Sequence, residues 1–155
     1  MSCVAGIGGA PYEETALLLL KHGADISICP ELRGKKTSLL SWAVAAGYPN
    51  VVRKLCEAGY DPNFRGEMSP PLLCLNLHTP DTALRITQIL IQYGADVNAA
   101  MPAGTAPPDS AGDTALLNLC RQLSVIDEKL LPQMRDLVNL LINEGADVNH
   151  QNSVG

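Results

Sequence analysis

One short phrase returns four times along the chain and limits what it can fold into. An apolar stretch ends in a glycine, and an aspartate follows two residues later: Gly23-Ala24-Asp25-Ile26, Gly59-Tyr60-Asp61-Pro62-Asn63, Gly94-Ala95-Asp96-Val97-Asn98 and Gly145-Ala146-Asp147-Val148-Asn149. The glycines lie 36, 35 and 51 residues apart. Self-similarity on this scale marks a stack of small units, each too small to bury an apolar face alone.

The residues around each phrase say what the unit is. Val51, Val52, Leu55 and Cys56 recur at helical spacing, as do Ile86, Ile89, Leu90 and Tyr93, and Leu137, Val138, Leu140, Leu141 and Ile142. The glycine then sits where a helix closes by turning left-handed, and the Asp and Asn after it suit a turn braced by side chains. This bracing role is the expected one for those aspartates, rather than general acid–base work. Helix starts are marked as well. Thr79-Pro80 reads as an N-cap followed by proline at the first helical position, and Pro49 and Pro132 occupy comparable points. The unit predicted is helix, short loop, helix, glycine stop, extended loop.

Gly-Ala-Asp-Val-Asn after an apolar helix resembles the ankyrin repeat. Ser38-Leu39-Leu40-Ser41-Trp42-Ala43-Val44 with Gly47-Tyr48 is similar to the opening half of that repeat, as is Thr114-Ala115-Leu116-Leu117-Asn118-Leu119-Cys120, and Pro71-Leu72-Leu73-Cys74 is a weaker copy. Ser41, Leu73 and Leu117 stand where the family carries a histidine, so its usual hydrogen bond to the turn is lost or weakened. The resemblance covers about nine-tenths of the chain. It implies an all-α fold, an ankyrin-repeat solenoid of stacked helix-loop-helix units with projecting hairpin-like loops. It also implies that Trp42 packs against a neighbouring repeat.

The spacing divides the chain into a degenerate or half unit at 1–29, units at 30–64 and 65–99, a unit with insertions at 100–150, and the start of a further repeat at 151–155. The first unit is expected to hold only its second helix, from about Tyr12 to His22, because Gly6-Ile7-Gly8-Gly9 is poor helical material. The long third interval predicts an irregular finger over Ala99–Ala111 and a lengthened helix or connection near Ser124–Leu131. No polar cap follows Asn149, so the array is expected to be a piece of a longer one, with uncapped ends open to end-to-end self-association.

Composition narrows the chemistry. Cys3, Cys29, Cys56, Cys74 and Cys120 are odd in number and widely spaced, which argues against a disulfide framework or a zinc site and for reduced thiols. The net charge of −5 argues against nucleic acid as a partner. The longest apolar runs are too short to cross a membrane, and residues 1–10 lack the basic start of a signal peptide. A cytoplasmic or nuclear location is expected. His22, His78 and His150 are scattered, and no nucleophile elbow, phosphate loop or zinc-protease signature occurs. Neither catalysis nor a cofactor or metal is expected.

What the resemblance implies instead is a module that holds a protein partner on its concave surface of loop tips and inner helices. Carried over by position, the tip residues are Arg33, Lys35, Phe64, Arg65 and Glu67, then Met101 in the long loop. The inner-helix residues are His78, Arg121 and Gln122. Phe64, the only phenylalanine, lies beside Arg65, and aromatics and arginines are enriched at binding hot spots. The alternative is a targeting or substrate-recognition segment of a larger enzyme or effector.

Overall fold

The computed structural model describes residues 10–24, 31–32, 35–36, 38–64, 69–75, 79–104, 110–123 and 128–153. Six α-helices make up most of it: α1 (Ala10–Lys21), α2 (Leu39–Ala46), α3 (Pro49–Glu57), α4 (Pro80–Gln92), α5 (Ala115–Leu123) and α6 (Leu131–Asn143). They form two rows. In one row α1 packs on α3, α3 on α4 and α4 on α6. In the other, α2 packs on a 3-10 turn at Pro71–Cys74, and that turn packs on α5. The rows meet where α2 packs on α3 and α5 on α6. This is a helical solenoid, as the resemblance implies.

The core runs between the rows. Leu40, Val44, Val52, Leu55, Ile86, Leu90, Leu119, Met134, Leu137 and Leu141 are each 1% exposed or less. Burying one such aliphatic side chain stabilises the fold by about 1.5–3 kcal/mol. Trp42 is half-buried against this core and meets Tyr48 edge-on, with ring centroids 5.9 Å apart and an interplanar angle of 68°. Burial of Tyr48, with Tyr12 and Glu13 nearby, raises its pKa.

Five helices end by one device. At α4 the Gly94 N–H donates to the Ile91 carbonyl (2.9 Å) and the Ala95 N–H to the Leu90 carbonyl (2.9 Å). This satisfies the orphan carbonyls of the last turn and requires the left-handed backbone that Gly94 adopts (φ 88°). The same paired bonds close α1 at Gly23, α2 at Gly47, α3 at Gly59 and α6 at Gly145.

The helix starts differ from one another. Ser38 caps α2: its Oγ accepts from the Ser41 N–H at 2.9 Å, with extended backbone (φ −74°, ψ 146°). Pro80 takes the first position of α4, as the sequence predicts, but Thr79 makes no side-chain cap bond. Its ψ of 73° falls short of the extended value, so the hydroxyl is not aimed at the amides of the first turn.

One further departure concerns the inner row. Pro71-Leu72-Leu73-Cys74 forms a 3-10 turn rather than an α-helix. Adjacent prolines at 70 and 71 favour a tight turn, closed by Leu73 N–H to the Pro70 carbonyl (2.9 Å), and the chain is extended again at Leu75 (ψ 134°). The additional residues between α5 and α6 lengthen the connection, which carries a 3-10 turn at Glu128–Leu130 before α6 begins.

Loops of hairpin character project from the rows. Glu31–Leu32 (β1) pairs antiparallel with Lys35–Lys36 (β2). At the root of the long loop the Met101 N–H donates to the Asp113 carbonyl (2.8 Å) and the Gly112 N–H to the Met101 carbonyl (2.9 Å). Residues 105–109 of the finger expected over Ala99–Ala111 lie outside the described residues.

No atom lies within 4 Å of a Cβ built at Gly94, so substitution there tests the backbone alone. Gly94→Ala is expected to cost about 1–2 kcal/mol, the left-handed penalty of an L-residue, read as a lower urea midpoint with unchanged helical circular dichroism.

Candidate functional site

The turn edge is built from the aspartates and asparagines of the repeated phrase. Within each turn the aspartate braces the asparagine: Asp61 Oδ1 accepts from the Asn63 N–H (2.8 Å), Asp96 Oδ1 from the Asn98 N–H (2.9 Å) and Asp147 Oδ1 from the Asn149 N–H (2.9 Å). Between turns the asparagine side chain makes a bridge. Asn63 Nδ2 donates to the Gly94 carbonyl (2.9 Å), and Asn63 Oδ1 accepts from the Asp96 N–H (2.7 Å). Asn98 repeats this one step on, donating to the Gly145 carbonyl (2.9 Å) and accepting from the Asp147 N–H (2.7 Å). One carboxamide supplies both a donor and an acceptor, which a carboxylate, a hydroxyl or an apolar group of that size does not do in this fixed geometry.

Phe64 follows the first bridging asparagine. Its N–H donates to the Asp61 carbonyl (3.1 Å), while the residue is 47% exposed. The ladder thus holds an exposed aromatic on a braced turn. Met101 stands at the root of its loop rather than the tip: it is half-buried, and its sulfur accepts from the Ser69 hydroxyl (2.7 Å).

On the inner row, Arg121 of α5 pairs with Asp113 at 3.0 Å. Asp113 is 2% exposed and also accepts from Asn152 Nδ2 (2.7 Å), so its charge is buried but satisfied. His150 Nε2 lies 2.9 Å from the Gly112 carbonyl, and Ser153 N–H and Oγ both donate to the Ala111 carbonyl (3.0 and 2.8 Å). Arg121, Asp113, Leu117, Cys120 and 150–152 line a cleft of about 290 Å³. Gln122 is near this cleft in sequence, and its amide donates to Asn118 Oδ1 (3.2 Å).

Of the residues singled out by sequence, Arg121 and Gln122 share α5, Phe64 stands on the turn edge and Met101 at a loop root. Arg33, Arg65, Glu67 and His78 lie outside the described residues, as does the side chain of Lys35, whose backbone pairs with Leu32. Asp113, His150 and Asn152 were not singled out as contact residues. Their only sequence signal is position, one beside Gly112 and two after the last repeated phrase. The bridging role of the asparagines was also unforeseen, although their fixed place four residues after each glycine was visible.

Among the described residues there is no group of three side chains able to hold a metal ion. A groove of about 700 Å³ between α1 and α3 is floored by Leu17, Leu20 and Leu55, with Lys21 and Lys54 at its rim. Of the three described cysteines, none of them in a disulfide, Cys56 is buried, Cys74 half-buried and Cys120 exposed. Burial pushes the Cys56 thiol up to about 11, and does the same to Cys74 against a hydrogen bond from Ser41 that lowers it. Both are held as neutral thiols, a poor state for a nucleophile.

With this geometry, the chain is 28% identical over 137 residues to a protein of fowlpox virus (strain NVSL) whose name describes an ankyrin repeat protein. The fold is an ankyrin-like helical solenoid. The match covers 88% of this chain and 35% of the viral protein, so the chain spans about a third of that relative's length. No protein-family model matches. No described helix is long and apolar enough to cross a membrane.

Removing a bridge should loosen the stack at one defined place. Asn98→Ala is expected to lower stability by about 1–3 kcal/mol, from two lost hydrogen bonds at a partly exposed site. Denaturant unfolding with matched slopes checks the magnitude. Asn98→Asp should recover at most the acceptor half.

Proposed function

We propose that the chain is a protein-interaction module, without catalytic activity of its own, that holds a protein partner along its turn edge and inner helices. The observation that carries this reading is Phe64: an exposed phenylalanine beside a turn fixed by Asp61 and by the Asn63 bridge. An exposed aromatic on a braced backbone leaves less chain to order on binding, so it suits a hot spot. Arg65 and Glu67 of the same tip, Arg33 and Lys35 of the preceding tip, Met101 of the long loop, and His78, Arg121 and Gln122 of the inner row extend the contact surface. Arg121 is oriented for that role by buried Asp113. The partition into units at 1–29, 30–64, 65–99, 100–150 and 151–155 belongs to the same proposal. Resemblance to ankyrin repeats and similarity to the viral ankyrin repeat protein support it.

A second reading, a recognition segment of a larger effector, is favoured by the greater length of that relative. Both readings place binding on the same surface.

Phe64→Ala combined with Arg65→Ala should weaken partner capture at least tenfold and leave the melting temperature within about 2 °C, since truncating exposed side chains rarely changes stability by more than about 0.5 kcal/mol. Equal capture by wild type and variant counts against this surface. A parallel fall in capture and melting temperature assigns Phe64 to the fold instead.

A further inference from the structure

One thioether ties the root of the long loop to the turn before it. Ser69 stands just ahead of the 3-10 turn at Pro71–Cys74, and its hydroxyl donates to the Met101 sulfur (2.7 Å). Ser69 is itself held, because the Cys74 thiol donates to the Ser69 and Pro70 carbonyls (3.7 and 3.5 Å). Met101 in turn joins both ends of the long loop. The chain leaves at Met101 and returns at Gly112. There the Met101 N–H donates to the Asp113 carbonyl (2.8 Å), and the Met101 carbonyl accepts from the Gly112 N–H (2.9 Å). The Met101 side chain packs against the core yet stays half-buried.

The sulfur atoms of the chain differ in how they meet an oxidant. A thiol reacts as its thiolate, and burial holds Cys56 and Cys74 neutral. A thioether has no proton to lose, so its lone pairs are nucleophilic at any pH. Met134 is 0% exposed in the core, out of reach of a dissolved oxidant. Met101 has the same chemistry at a place that water reaches.

We propose that Met101 is an oxidation site, and that its modification by a hydroperoxide releases the root of the long loop. A sulfur lone pair attacks one oxygen of hydrogen peroxide. The S=O bond forms as the O–O bond breaks, and the second oxygen leaves as water carrying both peroxide protons. Sulfur gives up two electrons and the peroxide takes them. The product is polar and chiral where the thioether was apolar and flexible. Ser69 Oγ lies too close to the sulfur for an oxygen to enter between them without parting the pair. Water also solvates the sulfoxide better than the core does, which draws the side chain outward. Methionine sulfoxide reductases reverse the change, so the release is a switch. The inference does not rest on the protein-interaction reading, because it concerns the free chain.

The test treats the full chain with hydrogen peroxide and then with dithiothreitol, which reverses disulfide and sulfenic oxidation at cysteines such as exposed Cys120. Peptide-resolved mass spectrometry should find one added oxygen at Met101 well before any at Met134. Hydrogen exchange at the Met101 and Gly112 amides should then speed up by about tenfold or more, and treatment with the reductases should restore it. Met101→Leu, which keeps the apolar volume without the sulfur, should show the wild-type exchange and no response to peroxide. Oxidation of Met101 no faster than of Met134 overturns the proposal. So does a Met101 sulfoxide that leaves Gly112 exchange unchanged, or a Met101→Leu chain that responds to peroxide as the wild type does.

Discussion

The carboxamide of one asparagine, placed between two turns, is the contact on which the edge of this solenoid depends. Packing holds the helices in rows, but apolar contact is non-directional and tolerates sliding. Asn63 and Asn98 remove that freedom at the turns. Each is braced by its own aspartate, and each closes a two-bond bridge to the next glycine carbonyl and the next aspartate N–H. The glycine closes the helix and offers the carbonyl, the aspartate orients the asparagine, and the asparagine spans to the next turn. A phrase of five residues therefore both ends a helix and joins it to its neighbour.

The residues of the phrase are committed to the edge, and exposed side chains stand just beyond it, as Phe64 does, and on the inner row, as Arg121 does. Two polar anchors beyond the ladder serve the same stacking. Asp113 gathers Arg121 and Asn152, and the Ala111 carbonyl accepts twice from Ser153. Among the described residues, the Cys56 and Cys74 thiols are both shifted toward the neutral, unreactive form.

Much of the fold was legible in the sequence, because local rules and stacking agree. Glycines with positive φ closed helices where the apolar pattern stopped, as at Gly94 and Gly145. Proline opened α3 and α4. What escaped prediction was non-local or weakly encoded. The pattern of Leu72 and Leu73 is apolar enough for a helix, and Pro70-Pro71 turned it into a 3-10 turn. Thr79 has the right chemistry for a cap and the wrong ψ. Of the candidate contact residues, Phe64 could be singled out by composition, whereas Asp113 and Asn152 come together across 39 residues and no local pattern announces such a pair.

Native-state hydrogen exchange at the amides of Asp96 and Asp147 tests the central claim most directly. Each is bonded to an asparagine oxygen of the preceding turn, at 2.7 Å in both cases. The account predicts that they exchange slowly, with protection comparable to the last turns of α4 and α6, and that replacing Asn63 releases Asp96 while leaving Asp147 protected. Exchange of both amides at the rate of an open loop in the wild-type chain would contradict it, because the turns would then be neighbours without being joined.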